Sequence, residues 1–229
     1  VNNQKITLQS YNTPVDVMIF WYGIFGLWER EQLRFWSKEV LHAEVILDVG
    51  ANSGVYSLIA STNTKAKIYA FEPVPVVREM FLKNISLNNF AQNITVHEYL
   101  VGDKVGQETL FIPREGWVDV SSIDKSFAEK FALNNKMQEL VCPMTTIDTY
   151  IENLSLHKDT YILAKIDVEG AEERVLSGMK NTLEKYNFAF TAELLSEIYF
   201  NEFVAKLPTD YTYFAIDEKA NMVYRTEKF

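Results

Sequence analysis

The sequence predicts a single α/β domain built on an open, mostly parallel sheet with helices on both faces. Two observations carry this. Short apolar runs alternate with helical patterns through residues 45–101, and the runs are too uniformly apolar for strands with one wet face. The first run also ends in a turn bounded by glycines, Asp48-Val49-Gly50-Ala51-Asn52-Ser53-Gly54, which opens a helix. Open parallel sheets bind their ligands at such strand-to-helix turns.

The elements follow in order. Residues 29–40 read as a helix, with Leu33, Phe35, Trp36 and Val40 near helical spacing. Residues 45–48 are a buried strand and 55–61 a helix. A second strand, 67–72, stops at Pro73 and Pro75, and Val77, Met80, Phe81, Ile85 and Leu87 pattern a helix over 76–88. The third strand is expected over 94–101. Residues 102–106 then read as a hairpin turn into an antiparallel strand at 108–112, opening an insertion over 102–145 with a helix near 125–133. Such a long insertion is expected to carry binding loops and to shape the acceptor side of a site. Regularity returns with a strand at 161–167, a helix over 171–183 with Gly178 inside it or near its end, and a strand at 188–194. A helix at 196–206 and a strand pair, 211–217 and 222–225, complete the reading.

The chain has 229 residues and 48% hydrophobic content, enough for one sizeable core. Its 22 basic and 31 acidic residues give a charge of −9, which repels phosphodiester backbones, so nucleic acid is not an expected partner. Cys142 stands alone, so no internal disulfide or thiolate metal cage can form, which fits a cytoplasmic location. The most apolar stretch, 17–28, is about half the roughly 20 residues needed to cross a bilayer. It reads as part of an aromatic cover formed by residues 1–44, or as a lid or acceptor platform. Residues 1–10 are polar and do not read as a signal peptide. Glycosylation sequons start at Asn84, Asn93 and Asn153 and are not expected to be used.

Four strand ends carry carboxylates: Asp48, Glu72, Asp167 and Glu193. Each could merely cap the next helix, but four on one rim suggest a site. In the first turn, Gly50 and Gly54 permit positive φ or close approach, and Asn52 tolerates the left-handed conformation. The spacing is G-x-N-x-G, short of the dinucleotide pattern, and suits a nucleoside with an amino-acid tail. Asp48 could hold the cationic tail, directly or through water, and Glu72, about 20 residues on, the ribose hydroxyls.

Three blocks resemble the hallmarks of the FkbM family of methyltransferases: Val45 through Leu58, Ala70-Phe71-Glu72-Pro73-Val74-Pro75, and Lys165-Ile166-Asp167-Val168-Glu169-Gly170-Ala171-Glu172. Glu29, Asn84 to Asn88, Val101-Gly102-Asp103 and Thr146-Ile147-Asp148 are lesser matches, and the resemblance covers residues 29–193. It implies a class I methyltransferase (Rossmann-like) fold with a seven-stranded sheet whose last strand is antiparallel. It also implies S-adenosylmethionine as cofactor and a hydroxyl acceptor on a sugar or natural product. The implied cofactor set is Asp48, Gly50, Ala51, Asn52, Gly54, Tyr56, Glu72, Pro73, Val101 and Asp103.

Strand periodicity places Lys165 and Asp167 on one face, where they can pair. Asp167 is the first choice for a base that takes the acceptor proton, and Glu193 the second. Lys165 joins them as a catalytic candidate. Trp117, Ser121, Ser122 and Glu169 are candidates for acceptor contact, whereas Glu172 reads as a helix-start acid. His42, His97 and His157 read as structural. Asp167, Glu169 and Glu193 could together ligate a hard divalent cation, although no metal-binding spacing supports one. Two rival readings are a non-catalytic cofactor-binding subunit and an NAD-dependent oxidoreductase, the latter disfavoured by the short glycine spacing.

Overall fold

A computed structural model describes residues 4–114, 120–132, 134, 136–193, 204–205 and 207–226. Helix α1 (Pro14–Tyr22) starts at a reciprocal capping box between Thr13 and Asp16. Helix α2 (Arg30–Glu39) follows Glu29, whose φ of 43° is left-handed and whose side chain does not cap it. The cap comes from far along the chain: the Glu218 carboxylate accepts from the amides of Glu31 at 3.0 Å and Gln32 at 2.9 Å. Next come β1 (Val45–Val49), α3 (Val55–Asn63), β2 (Lys67–Phe71), α4 (Pro75–Ser86) and β3 (Ile94–His97). The insertion holds β4 (Leu100–Val101), β5 (Gly106–Pro113), α5 (Lys125–Glu129) and β6 (Met137–Thr145). The chain then forms α6 (Ile147–Asn153), β7 (Tyr161–Ile166), α7 (Glu172–Ser177), α8 (Lys180–Lys185), β8 (Asn187–Ala192), β9 (Tyr213–Asp217) and β10 (Met222–Thr226).

The central sheet runs β3-β2-β1-β7-β8, all parallel. Alternate residues of β1 face opposite layers. Leu47 and Val49 join a core with Ile147, Val175 and Leu176 of α6 and α7, and Ile46 joins one with Leu33 and Trp36 of α2 and Ile59 of α3. Strand order reverses between β1 and β7, which opens a crevice beyond their carboxyl ends.

Several expectations change. Among the described residues the central sheet has five strands, and β9 and β10 form an antiparallel pair of their own instead of extending it. The third strand divides: β3 stays in the central sheet, and β4 leaves it to pair with β6. Residues 102–106 therefore do not close a hairpin, because β4 and β5 both flank β6 and do not pair with each other. The helix expected over 171–183 breaks at Gly178, which packs so tightly on the Gly102 carbonyl that a Cβ there would lie 2.0 Å from its oxygen. Helix α5 ends at Glu129, short of Leu133, which lies outside the described residues, as does most of the stretch expected as a helix at 196–206.

The apolar stretch at 17–28 does not wholly cover the core. Ile19, Phe25 and Trp28 pack inward, but Phe20, Trp21 and Tyr22 are exposed. Among the described residues no helix is long and apolar enough to cross a membrane. Two sequons are built into the fold. The buried Asn84 amide donates to the Ser53 carbonyl and Asn93 to those of Ala66 and Thr64, while Asn153 is exposed. Cys142 is buried, and burial pushes its thiol up to about 11.

Candidate active site

The turn after β1 is shaped by what it touches. Gly50 has a φ of 75°, and a Cβ there would fall 1.8 Å from the Asp167 carbonyl oxygen, so only glycine lets the β1 turn meet the end of β7. Asn52 takes a φ of 51°, and its amide donates to Glu72 at 3.0 Å. The other Glu72 oxygen accepts from the Val74 amide at 2.8 Å. Glu72 thus fastens the turn to the end of β2. Burial pushes its carboxyl up to about 7 against the pull of those two amides. At Gly54 a Cβ would enter the Phe81 ring, so this glycine serves packing against α4.

Beneath the turn lies a buried charge network. Asp48, wholly buried, accepts from Ser57 Oγ at 2.6 Å, and its other oxygen has no partner. Burial raises the Asp48 pKa, opposed by Lys165 and Ser57. The Lys165 ammonium donates to the Gly50 carbonyl at 2.7 Å, pairs with Asp167 Oδ2 at 3.0 Å and lies 5.3 Å from the centre of the Tyr56 ring. The Tyr56 hydroxyl donates to Glu29, whose carboxyl is pushed up to about 7 by burial.

Asp167, just past β7, is the exit of this network. One oxygen, Oδ2, pairs with Lys165, and the other, Oδ1, is buried without a hydrogen-bond partner. Glu193, just past β8, is exposed and lies near enough to Asp167 to feel its charge. Burial and then the Asp167 charge push the Glu193 carboxyl up to about 8. Glu169 follows in a left-handed turn with a φ of 56°, its carbonyl accepting from Ser122 Oγ at 2.7 Å. Glu172 accepts from the amides of Val168 and Gly170, which fits a helix-start acid.

The sequence candidates sort by position. A narrow cleft is lined by Gly50, Asn52, Glu72, Pro73, Val101, Ser121, Asp167 and Glu169. It holds about 70 Å³ of free space. Ordinary ligand pockets hold about 300–1,000 Å³, so a nucleoside enters only if these walls part. Asp48, Ala51, Gly54, Tyr56 and Lys165 do not line this cleft, and Lys165 meets it only through its contacts to Gly50 and Asp167. Ser122 is buried and anchors the insertion. Asp103 does not line the cleft: Arg174 holds it at 2.8 Å, and that hydrogen-bonded pair keeps its carboxyl below the usual range. Trp117 lies outside the described residues. His97 stacks on Phe71 and bonds the Tyr150 hydroxyl at 2.7 Å, a packing role. His157 lies beside Asp159 at the exposed surface. Among the described residues no set of three His, Cys, Asp or Glu side chains converges as a metal site. Glu29 is the member that residue patterns alone did not assign, because its approach to Tyr56 depends on how α2 docks.

A family model for the methyltransferase FkbM domain matches residues 48–222. The chain is 28% identical over 199 residues to the hexuronic acid methyltransferase AglP of Haloferax volcanii, covering 80% of this chain and 74% of that one. It is 27% identical to the methyltransferase sdnD of Sordaria araneosa, over 58% of this chain and 60% of that one. Among solved structures it resembles a methyltransferase FkbM from Methylobacillus flagellatus, with a TM-score of 0.46 and 18% identity over 77% of this chain and 42% of that one. A SAM-dependent methyltransferase from Agrobacterium tumefaciens matches with a TM-score of 0.43 and 14% identity, over 77% and 50%. The chain therefore spans half or less of those two solved chains.

Proposed function

Because this chain belongs to the FkbM methyltransferase domain family, we propose that it transfers the methyl group of S-adenosylmethionine to a hydroxyl of a sugar, glycan or hydroxylated small metabolite. The name of the relative AglP, a hexuronic acid methyltransferase, supports an acceptor of the sugar type. The residues around the narrow cleft fit the cofactor. Asn52, in the left-handed turn, offers its side-chain amide. Each Glu72 oxygen accepts one backbone amide and keeps a lone pair for a ribose hydroxyl. When bound there, the cofactor supplies an electrophilic methyl group.

The chain's own residues do the remaining work. A hydroxyl is a weak nucleophile, so its proton must be accepted as the new bond forms. Asp167 Oδ1 carries this reading: it lies at the strand end beside the cleft, and its sister oxygen is fixed by Lys165. Lys165 orients the base, and Glu193 lies beside it. The acceptor is held by groups on the β7, β8 and insertion side, among which Ser121 and Glu169 line the cleft. Asp167→Asn is expected to slow methyl transfer about 10²- to 10⁴-fold. Its cofactor dissociation constant should stay within about threefold of the parent's, because the lost base acts on the acceptor. Single-turnover kinetics and calorimetry measure the two quantities, and undiminished transfer would remove Asp167 from the chemistry.

A further inference from the structure

Helix α1 turns an uncharged apolar face to solvent. Val15 and Ile19 pack inward, and Asp16 is buried, its carboxylate accepting from the amides of Tyr11 and Thr13. The outer side is left to Val17, Met18, Phe20, Trp21 and Tyr22. Phe20, Trp21 and Tyr22 are 76%, 71% and 59% exposed, and the first two rings meet edge-on at 5.1 Å, so they act as one surface. Val17 and Trp21, like Met18 and Tyr22, lie one turn apart, which makes that surface continuous along the helix. Beyond α1 the chain doubles back, with Gly26 so near Tyr22 that a Cβ there would fall 2.2 Å from the Tyr22 carbonyl oxygen. That turn sets Leu27, also exposed, beside the end of the helix.

Area and charge decide what this face fits. At these exposures the three rings bare about 300–500 Å² on one chain. Two such faces laid together bury about 600–1,000 Å² from the rings alone. Val17, Met18 and Leu27 take the total past the roughly 1,000 Å² that a specific interface needs. Charge points the same way. From Val17 to Trp28 the sequence has no charged residue, in a chain of net charge −9. Two such acidic chains repel wherever charged surfaces oppose, and meeting on an uncharged face avoids that repulsion. A bilayer is a poorer match, because helices that lie on membranes carry Lys or Arg on their polar side, and α1 has neither.

We infer that the chain pairs with a second copy of itself through this face, α1 against α1 about a twofold axis. Each copy offers the same residues to the other, so the contact closes at two chains. Phe20 and Trp21 of both copies form its dry centre, the position in which aromatic side chains carry most of an interface's affinity. The pairing goes beyond the methyl-transfer reading and does not depend on it.

Sedimentation equilibrium of the full chain tests the pairing. The parent is expected at twice the mass of one chain, with a dissociation constant of about 10 µM or below. Trp21→Glu, and separately the double substitution Phe20→Ser with Trp21→Ser, should each weaken the pair by at least about tenfold. Their far-ultraviolet circular dichroism should match the parent's, since both side chains stand mainly in solvent in the single chain. Val105→Glu, at an exposed apolar position on the insertion, should leave the pair intact. A parent that keeps the mass of one chain at about 100 µM would overturn the inference. So would a pair that persists unchanged in both variants, since the contact would then lie on another face. Flotation of the parent with phosphatidylcholine vesicles, lost in Trp21→Glu, would give the face to a bilayer and overturn it as well.

Discussion

With its ammonium on the Gly50 carbonyl and the Asp167 carboxylate, Lys165 ties the turn after β1 to the end of β7. Burial favours its neutral form, but Asp167, Asp48 and Glu29 outweigh that effect and raise its pKa, so the lysine stays charged. Lys165→Met keeps the length of the side chain and leaves the buried acids without their cation. It is expected to cost about 3–5 kcal/mol, read from urea denaturation. The acids leave a second signature. Glu29 and Glu72 are raised to about 7 and Glu193 to about 8, so each holds its proton more tightly in the folded chain. Their stabilising contribution is full below the ordinary value of 4.5 and fades as pH rises through 7 to 8. Asp103 and Glu108, both lowered, titrate below that window. The cofactor-free protein should therefore melt at a lower temperature at about pH 8.5 than at about pH 6. A scan that is flat or rises would contradict the burial of these acids.

At the level of elements, Gly178 separates α7 from α8 by lying against the Gly102 carbonyl while its own carbonyl accepts from the Asp148 amide at 2.9 Å. Gly178→Ala requires the turn after β4 to shift and is expected to cost about 1–3 kcal/mol, again by denaturant titration. This break is not readable from the sequence, because helical periodicity continues across it and only a contact 76 positions away decides it. The alternation from β1 to β3 is readable, since fully buried parallel strands are short apolar runs stopped by Gly and Pro. So is the glycine turn, whose spacing is a local constraint. The split between β3 and β4 is not, because both pieces have strand character and only the course of β6 assigns β4 to another sheet. In the site, strand ends marked Asp167 and Glu193 from pattern alone. The fate of Asp103 depended on Arg174.

Across the whole molecule, early and late segments hold one another. The turn between β9 and β10 supplies the Glu218 carboxylate that caps α2, and the cap fixes the helix start next to Glu29. Glu218→Ala should lower stability by about 1 kcal/mol, as the loss of a helix cap does, measurable as a fall in melting temperature. The start of the chain is fastened in a similar way. Asn84 and Asn88 accept from the amides of Gln9 and Thr7, so the segment before α1 is laid along α4 by two asparagine side chains. The same Asn84 amide reaches back to the Ser53 carbonyl in the glycine turn. This has a practical consequence for production. In a eukaryotic secretory host, an oligosaccharide added to Asn84 during synthesis would occupy the nitrogen that must enter the core, and the chain carrying it could not close around its own cofactor turn. A bacterial cytoplasm, which attaches no such glycan, is the host in which the protein should be made.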